Sequence, residues 1–214
     1  MEEYIKIQTV FKRDEKMKKI IEGDYSLPEF EFLKNNPWVF TEKVDGTNIR
    51  IMWDGTNIIF GGKTDEASLP VFLLYKLQEL FEGAPNRQKF LEKFGIEGNV
   101  CLYGEGYGAK IQKGGGNYIS DGVSFVLFDV KICDFWLQRK DVEDIATFFG
   151  VKIVPIIGEG TLAEAVEKTR QGFNSEWGNF TAEGIVARPK IELFTRKGDR
   201  IITKIKYRDF VSGK

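Results

Sequence analysis

Two Asp-Gly pairs, Asp45-Gly46 and Asp54-Gly55, bracket a short stretch that alternates cleanly, Asn48-Ile-Arg-Ile-Met-Trp53. Asp-Gly between alternating residues is a strong local hairpin signal, because side chains along a strand point to opposite faces in turn. Residues 38–43 are rich in strand formers and run into the first turn, and residues 57–60 leave the second. The chain is thereby committed to antiparallel sheet, and Lys43 stands at a strand end just before a tight turn. By spacing alone such a lysine is most simply a solvated strand end.

The rest of the chain mixes both periodicities. Leu69, Phe72, Leu73, Leu77 and Leu80 recur at helical spacing and predict a helix over 68–80, with a second over 85–94 closed by Gly95. Residues 100–103 read as a strand followed by a glycine-rich loop over 104–116. Residues 124–132 are nearly all apolar and read as a buried strand. A helix is expected over 141–149, ended by Gly150, then a strand over 151–157. Thr161-Leu-Ala-Glu164 is a capping box opening a helix that stops at Gly172. Three short strands follow, over 183–188, 191–195 and 200–206. Residues 1–36 read as a strand over 4–11, a charged stretch over 12–19 and a connector with Pro28, an N-terminal extension or small lobe on a main domain over 37–214. Hairpins outnumber strand–helix–strand units, so the expected class is α+β.

Composition removes whole classes of chemistry. The sequence has no histidine, which excludes Ser-His and Cys-His nucleophile pairs, HExxH zinc sites and histidine general bases. The net charge is −1, so any nucleic-acid surface must come from local clustering. Cys101 and Cys133 match neither a disulfide framework nor a zinc pattern and suit a reducing cytoplasm. The opening Met1-Glu2-Glu3-Tyr4 is not the start of a signal peptide, and no apolar run nears the ~18 residues a membrane span needs.

Three segments hold residues suited to chemistry. In Glu42-Lys43-Val-Asp-Gly46-Thr-Asn48 the lysine becomes a nucleophile only if its surroundings favour the neutral amine, and the tight turn lets backbone approach a ligand. Tyr103-Gly-Glu105-Gly-Tyr-Gly-Ala-Lys110 is similar to a phosphate-cradling loop, though no HRD or DFG accompanies it and a kinase reading fails. Arg196, Lys197, Arg200, Lys204, Lys206 and Arg208 cluster near the C-terminus, with Lys204 and Lys206 on one face of a strand. Two ammonium groups on one face call for an anion, unless the strand is simply a solvated, lysine-protected edge.

In chain order the sequence reads Lys43-Val-Asp-Gly46, Gly62-Lys63-Thr64, Tyr103-Gly-Glu105-Gly106, Phe125-Val-Leu-Phe128-Asp129, Glu183-Gly-Ile-Val186 and Lys204-Ile-Lys206. This order resembles the motif set of the covalent nucleotidyltransferase superfamily of polynucleotide ligases and mRNA capping enzymes, over residues ~38–208. DNA ligases and capping enzymes place arginine five residues after the lysine. Asn48 stands there, and Glu-Lys-x-x-Gly-Thr-Asn is similar instead to the phage RNA ligase 2 type. Tyr4-Ile-Lys-Ile-Gln-Thr-Val-Phe-Lys-Arg-Asp14 looks like the start of a group of short phage and bacterial RNA ligases.

The resemblance implies an ATP-grasp-like α+β domain of two antiparallel β-sheets flanked by helices, with ATP in the groove between the sheets. It implies that Lys43 attacks the α-phosphate of ATP, forming lysyl–AMP and releasing pyrophosphate. Phe128 would stack on adenine, Glu105 would bind the ribose hydroxyls, and Glu42 and Lys63 would join the nucleotide-binding set. Asn48 would contact phosphate or position metal-bound water. Glu183, with Glu105, would hold Mg²⁺ or Mn²⁺. Lys204 and Lys206 would grip the α-phosphate, favour the neutral Lys43 amine and stabilise the developing charge. Lys63 stands where these ligases more often have arginine, whose two-pronged grip a lysine lacks. The implied partner is RNA, as a nicked duplex or an RNA–DNA hybrid among other forms, with no C-terminal OB or helical domain in this chain. Three readings stay open: an RNA ligase complete in itself, a self-adenylylating enzyme that needs an accessory protein to seal or acts on DNA nicks, and a non-catalytic ATP- or RNA-binding module.

Overall fold

The computed structural model describes residues 3–17 and 19–211, and the chain divides into two units. Met1 and Glu2 of the expected N-terminal extension, Lys18 of its charged stretch and the last three residues of the expected main domain lie outside the described residues. The first unit comprises residues 1–4 and 45–154, the second residues 5–44 and 155–214, so the division falls inside Lys43-Val-Asp-Gly46.

The second unit is built on a sheet of five strands: β1 (Gln8–Thr9), β4 (Trp38–Glu42), β11 (Ile156–Gly160), β12 (Gly184–Pro189) and β13 (Thr203–Lys206), in the order β1-β13-β12-β4-β11. All its pairings are antiparallel except β1 with β13. Trp38, Phe40, Ile185, Ala187 and Ile205 alternate toward a core closed by α1 (Pro28–Phe32) and α5 (Leu162–Gln171). The capping box at the start of α5 forms as the sequence predicts, with Thr161 and Glu164 each accepting from the other's backbone N–H. A separate ribbon pairs β2 (Phe11–Arg13) with β3 (Ile20–Tyr25). The strand expected over 191–195 is reduced to one bridge, Phe194 to Arg200.

The first unit carries a six-stranded sheet. Its path is β10 (Lys152–Ile153), β8 (Val123–Ile132), β7 (Val100–Gly108), β5 (Thr47–Trp53) and β6 (Ile58–Gly61), with β9 (Phe135–Trp136) also on β8. Pairing is antiparallel except between β10 and β8. One face is covered by α2 (Val71–Phe81), α3 (Ala84–Phe94) and α4 (Arg139–Phe149), which bury Leu73, Leu77, Phe81, Phe90, Ile145 and Phe149 against Ile49, Ile51, Leu102, Phe125 and Leu127.

The glycine-rich run expected as a loop over 104–116 begins as strand, since β7 continues to Gly108. Gly104 and Gly106 face the crowded core side: a Cβ on Gly104 would lie 2.2 Å from the Phe125 ring, and one on Gly106 2.6 Å from Leu73. These glycines mark missing room rather than flexibility. The loop proper follows Gly108 and folds back, with Gln112 donating to the Gly46 carbonyl and the Asp45 N–H donating to the Tyr118 hydroxyl.

Candidate active site

The site residues of the second unit sit at three strand ends. Lys43 follows β4, Glu183 precedes β12 and Lys206 ends β13, so the order β13-β12-β4 brings together residues as far apart as 43 and 206. The Lys43 N–H donates to the Gly184 carbonyl and the Tyr207 N–H to the Glu183 carbonyl, fixing all three backbones. Gly184 has φ +153°, and a Cβ there would lie 2.0 Å from the Ile205 carbonyl oxygen, so only glycine lets β12 start this close to β13.

The Lys43 ammonium lies 2.6 Å from Glu183 Oε2 and the Lys206 ammonium 2.7 Å from Oε1. One carboxylate thus bridges two cations, and all three side chains are at most 20% exposed. Burial pushes the Glu183 carboxyl up, but Lys43 and then Lys206 more than offset it, and the group stays ionised below its ordinary range. Lys204 shares the Lys206 face of β13, as the two-residue spacing predicts, while Thr203 and Ile205 face inward and are buried. The anion that the paired lysines call for is, for Lys206, Glu183 itself.

Glu42 points to the other side of β4. It is buried, its carboxylate accepts from the Ser175 hydroxyl at 2.5 Å and the Glu176 N–H at 2.8 Å, and burial raises its pKa despite both bonds. The structure therefore sets the Glu42 carboxylate against residues 175–176, on the strand that ends at Lys43.

The site residues of the first unit share the sheet face opposite its core. Asn48 on β5 is directly paired with Glu105 on β7, and Glu105 with Val126 on β8. Phe128 reaches this face through a bulge: Tyr103 pairs with Asp129 and Gly104 with Leu127, which leaves Phe128 as the extra residue. Leu127 and Val130 both lie in the core, while Phe128 and Asp129 both meet Tyr4. The Tyr4 ring packs edge-on against Phe128 at 5.0 Å, and its hydroxyl donates to the buried Asp129 carboxylate. Asn48 Oδ1 is buried without a hydrogen-bond partner among the described residues. Lys63 is exposed on the loop after β6.

Sequence reasoning passed over Arg50. It is fully buried on the Asn48 face of β5, with Nε 2.7 Å from the Gly62 carbonyl and Nη2 2.8 Å from Asp65. The clean alternation of β5 already placed it there, two residues from Asn48.

Among the described residues no group of three or more His, Cys, Asp or Glu side chains could hold a metal ion. Mg²⁺ keeps several waters and is bound through one or two carboxylates plus substrate phosphates. The unpartnered Asn48 oxygen is an acceptor of the kind a metal-bound water would meet.

The fold is that of a ligase-type nucleotidyltransferase. A variant of Naegleria gruberi RNA ligase without ligand superposes with a TM-score of 0.63 at 20% identity, over 86% of this chain and 53% of that one. A variant with ATP and Mn gives 0.63 at 19%, over 93% and 55%, and one with AMP and Mn gives 0.61 at 21%, over 84% and 52%. The chain spans about half the length of these solved ligases. A search of curated protein sequences found no match. The RNA ligase family matches residues 36–206, and the chain belongs to that family.

Proposed function

We propose that this protein is an ATP-dependent RNA ligase that joins 5′-phosphate and 3′-hydroxyl RNA ends through an AMP carried on Lys43, in RNA repair. The observation that carries the reading is the bridge Lys43–Glu183–Lys206 in a chain of this family. Solved relatives with ATP and Mn and with AMP and Mn support the choice of nucleotide and divalent ion.

An amine in an ion pair is protonated and has no lone pair to offer, so the bridge describes a resting nucleophile. The α-phosphate of ATP offers Lys206 a new oxygen partner in place of Glu183, and Lys204 another on the same face of β13. Lys43, released from the pair, gives its proton to solvent water and attacks the α-phosphorus through the freed lone pair. The Nζ–P bond forms as the bond to pyrophosphate breaks. The 5′-phosphate of the RNA then attacks the same phosphorus, freeing Lys43 and leaving an adenylylated end. The 3′-hydroxyl finally attacks that end, and AMP departs. The cations stabilise charge on the non-bridging oxygens, which is the main demand of phosphoryl transfer. Glu183 in the second unit, and Glu105 with Asn48 Oδ1 in the first, are the residues that would meet Mg²⁺ or Mn²⁺ through its waters, and such an ion would neutralise the phosphates. Phe128 stacks on adenine and Glu105 takes the ribose hydroxyls. Glu42 acts from behind, bracing the strand end that presents Lys43. Two free cysteines, Cys101 and Cys133, accord with a reducing cytoplasm.

The test follows label. Wild type and Lys43→Ala are incubated with α-labelled ATP and Mg²⁺, then chased with 5′-phosphorylated RNA or DNA. One AMP on the wild type, none on the variant, and transfer into sealed RNA are expected. An adduct that never leaves would mean that sealing needs an accessory protein, transfer to DNA alone would change the substrate, and no adduct would sink the reading.

A further inference from the structure

Arg50 is a charged group with an unusual position. Its side chain is wholly removed from solvent, and its ion-pair partner Asp65 is half exposed. Burying a guanidinium is costly unless its donors are met, and a single ion pair meets only part of that requirement. Nε and Nη2 are engaged, but Nη1 is buried without a hydrogen-bond partner among the described residues. An apolar side chain would fill this place in the sheet at less cost, so fold stability does not account for the arginine.

What its bonds do is specific. Both go to the short loop after β6, to the Gly62 carbonyl and the Asp65 carboxylate, and Lys63 lies between those two anchors. Gly62 is itself wedged against Ala67, where a Cβ would come within 2.8 Å of the Ala67 Cβ. The loop is thus held from below by a planar fork at two points three residues apart, and the exposed ammonium of Lys63 is the cation it presents. A lysine on an unheld loop would lose rotamer and backbone freedom on meeting an anion. One on a clamped loop has lost the backbone share beforehand.

We propose that Arg50 is a positioning residue: it clamps the Gly62–Asp65 loop so that Lys63 is set to meet a phosphate of the substrates. The proposal rests on the ligase reading above. The phosphate belongs either to ATP or to the 5′ end of the RNA, and the two sources are separable by step.

Lys43 adenylylation is measured against ATP concentration, and sealing is measured separately with RNA supplied already 5′-adenylylated. Arg50→Lys, which keeps the charge but not the fork, and Lys63→Ala are expected to raise the same KM by ~10-fold or more while kcat changes by less than ~3-fold. In the double variant the two effects should not multiply, since one residue acts through the other. Asp65→Asn removes one anchor at a half-exposed position, keeps the fold safe, and should give a smaller rise in the same KM. A rise confined to ATP assigns the phosphate to the nucleotide, and a rise confined to adenylylated RNA assigns it to the RNA end. The proposal fails if Arg50→Lys and Asp65→Asn leave both KM values unchanged, if they lower kcat evenly in both steps together with the melting temperature, or if the Arg50 and Lys63 effects multiply. A wild type that forms no Lys43 adduct would instead sink the ligase reading, and the clamp's role toward a substrate phosphate would fall with it, whereas a wild type that forms the adduct with both KM values insensitive to Arg50→Lys would sink the clamp alone.

Discussion

The two units bring their site residues to readiness in opposite ways. In the second, charge is closed on itself: Glu183 gives one oxygen to Lys43 and the other to Lys206. In the first, polar atoms are left open: Asn48 Oδ1 and Arg50 Nη1 are buried on one sheet face without partners among the described residues. On the proposed reading, a ligand would have to undo the closed bridge of the second unit, whereas the open Asn48 oxygen of the first would gain a partner without any pair being broken.

Breaking the bridge at Lys43, the proposed nucleophile, should have the largest effect. Lys43→Ala is expected to abolish the AMP adduct, read by intact-protein mass after incubation with ATP and Mg²⁺. Removing its centre comes next. Glu183→Ala leaves Lys43 and Lys206 facing each other, and deleting one partner of a largely buried ion pair should lower stability by ~3 kcal/mol in a urea melt. An unchanged urea midpoint would show the bridge to be energetically idle. On the open face, Phe128→Ala should weaken ATP binding by ~1–3 kcal/mol, the usual worth of a stacked base, with kcat nearly kept. A fall in kcat alone would move Phe128 out of base binding.

The smallest effect is in pH, and it has two signs within the second unit. The lowered pKa of Glu183 means that its bridge contributes stability above the ordinary carboxylate range, lost as pH falls through the lowered folded value. The raised pKa of Glu42 acts the other way: its burial costs stability once pH rises through the raised value, and the cost disappears in acid. Denaturation midpoints across an acid series should therefore fall less steeply for Glu183→Gln than for wild type, and more steeply for Glu42→Gln. Parallel curves for all three would contradict both assignments.

The family resemblance assigned roles to Lys43, Glu183 and Lys206, but no spacing in the sequence showed that one carboxylate would join the two lysines, because that contact depends on the strand order β13-β12-β4. The α+β class followed from the hairpin signals. Three further features were not legible. Glycine in sequence does not separate freedom from lack of room, so β7 was expected to stop at Tyr103, although Gly104 and Gly106 continue it against Phe125 and Leu73. β3 and α1 were missed because one contains Glu22-Gly-Asp24 and the other is five residues long with Phe32 85% exposed, so neither shows periodicity. The resemblance grouped Glu42 with the nucleotide, and nothing in the sequence signalled the bonds its carboxylate accepts from Ser175 and the Glu176 N–H.

The bulge in β8 has an implication for how this chain can change. Regular alternation would turn residues 128 and 130 to one side, but Leu127 and Val130 both enter the core and Phe128 does not. The outward ring is therefore written as a count of residues between Val123 and Ile132, not as a kind of residue at one place. Substitutions can drift along this strand while its length cannot. Losing a single residue would restore a regular ladder and leave the open face short of one of its two bulge residues.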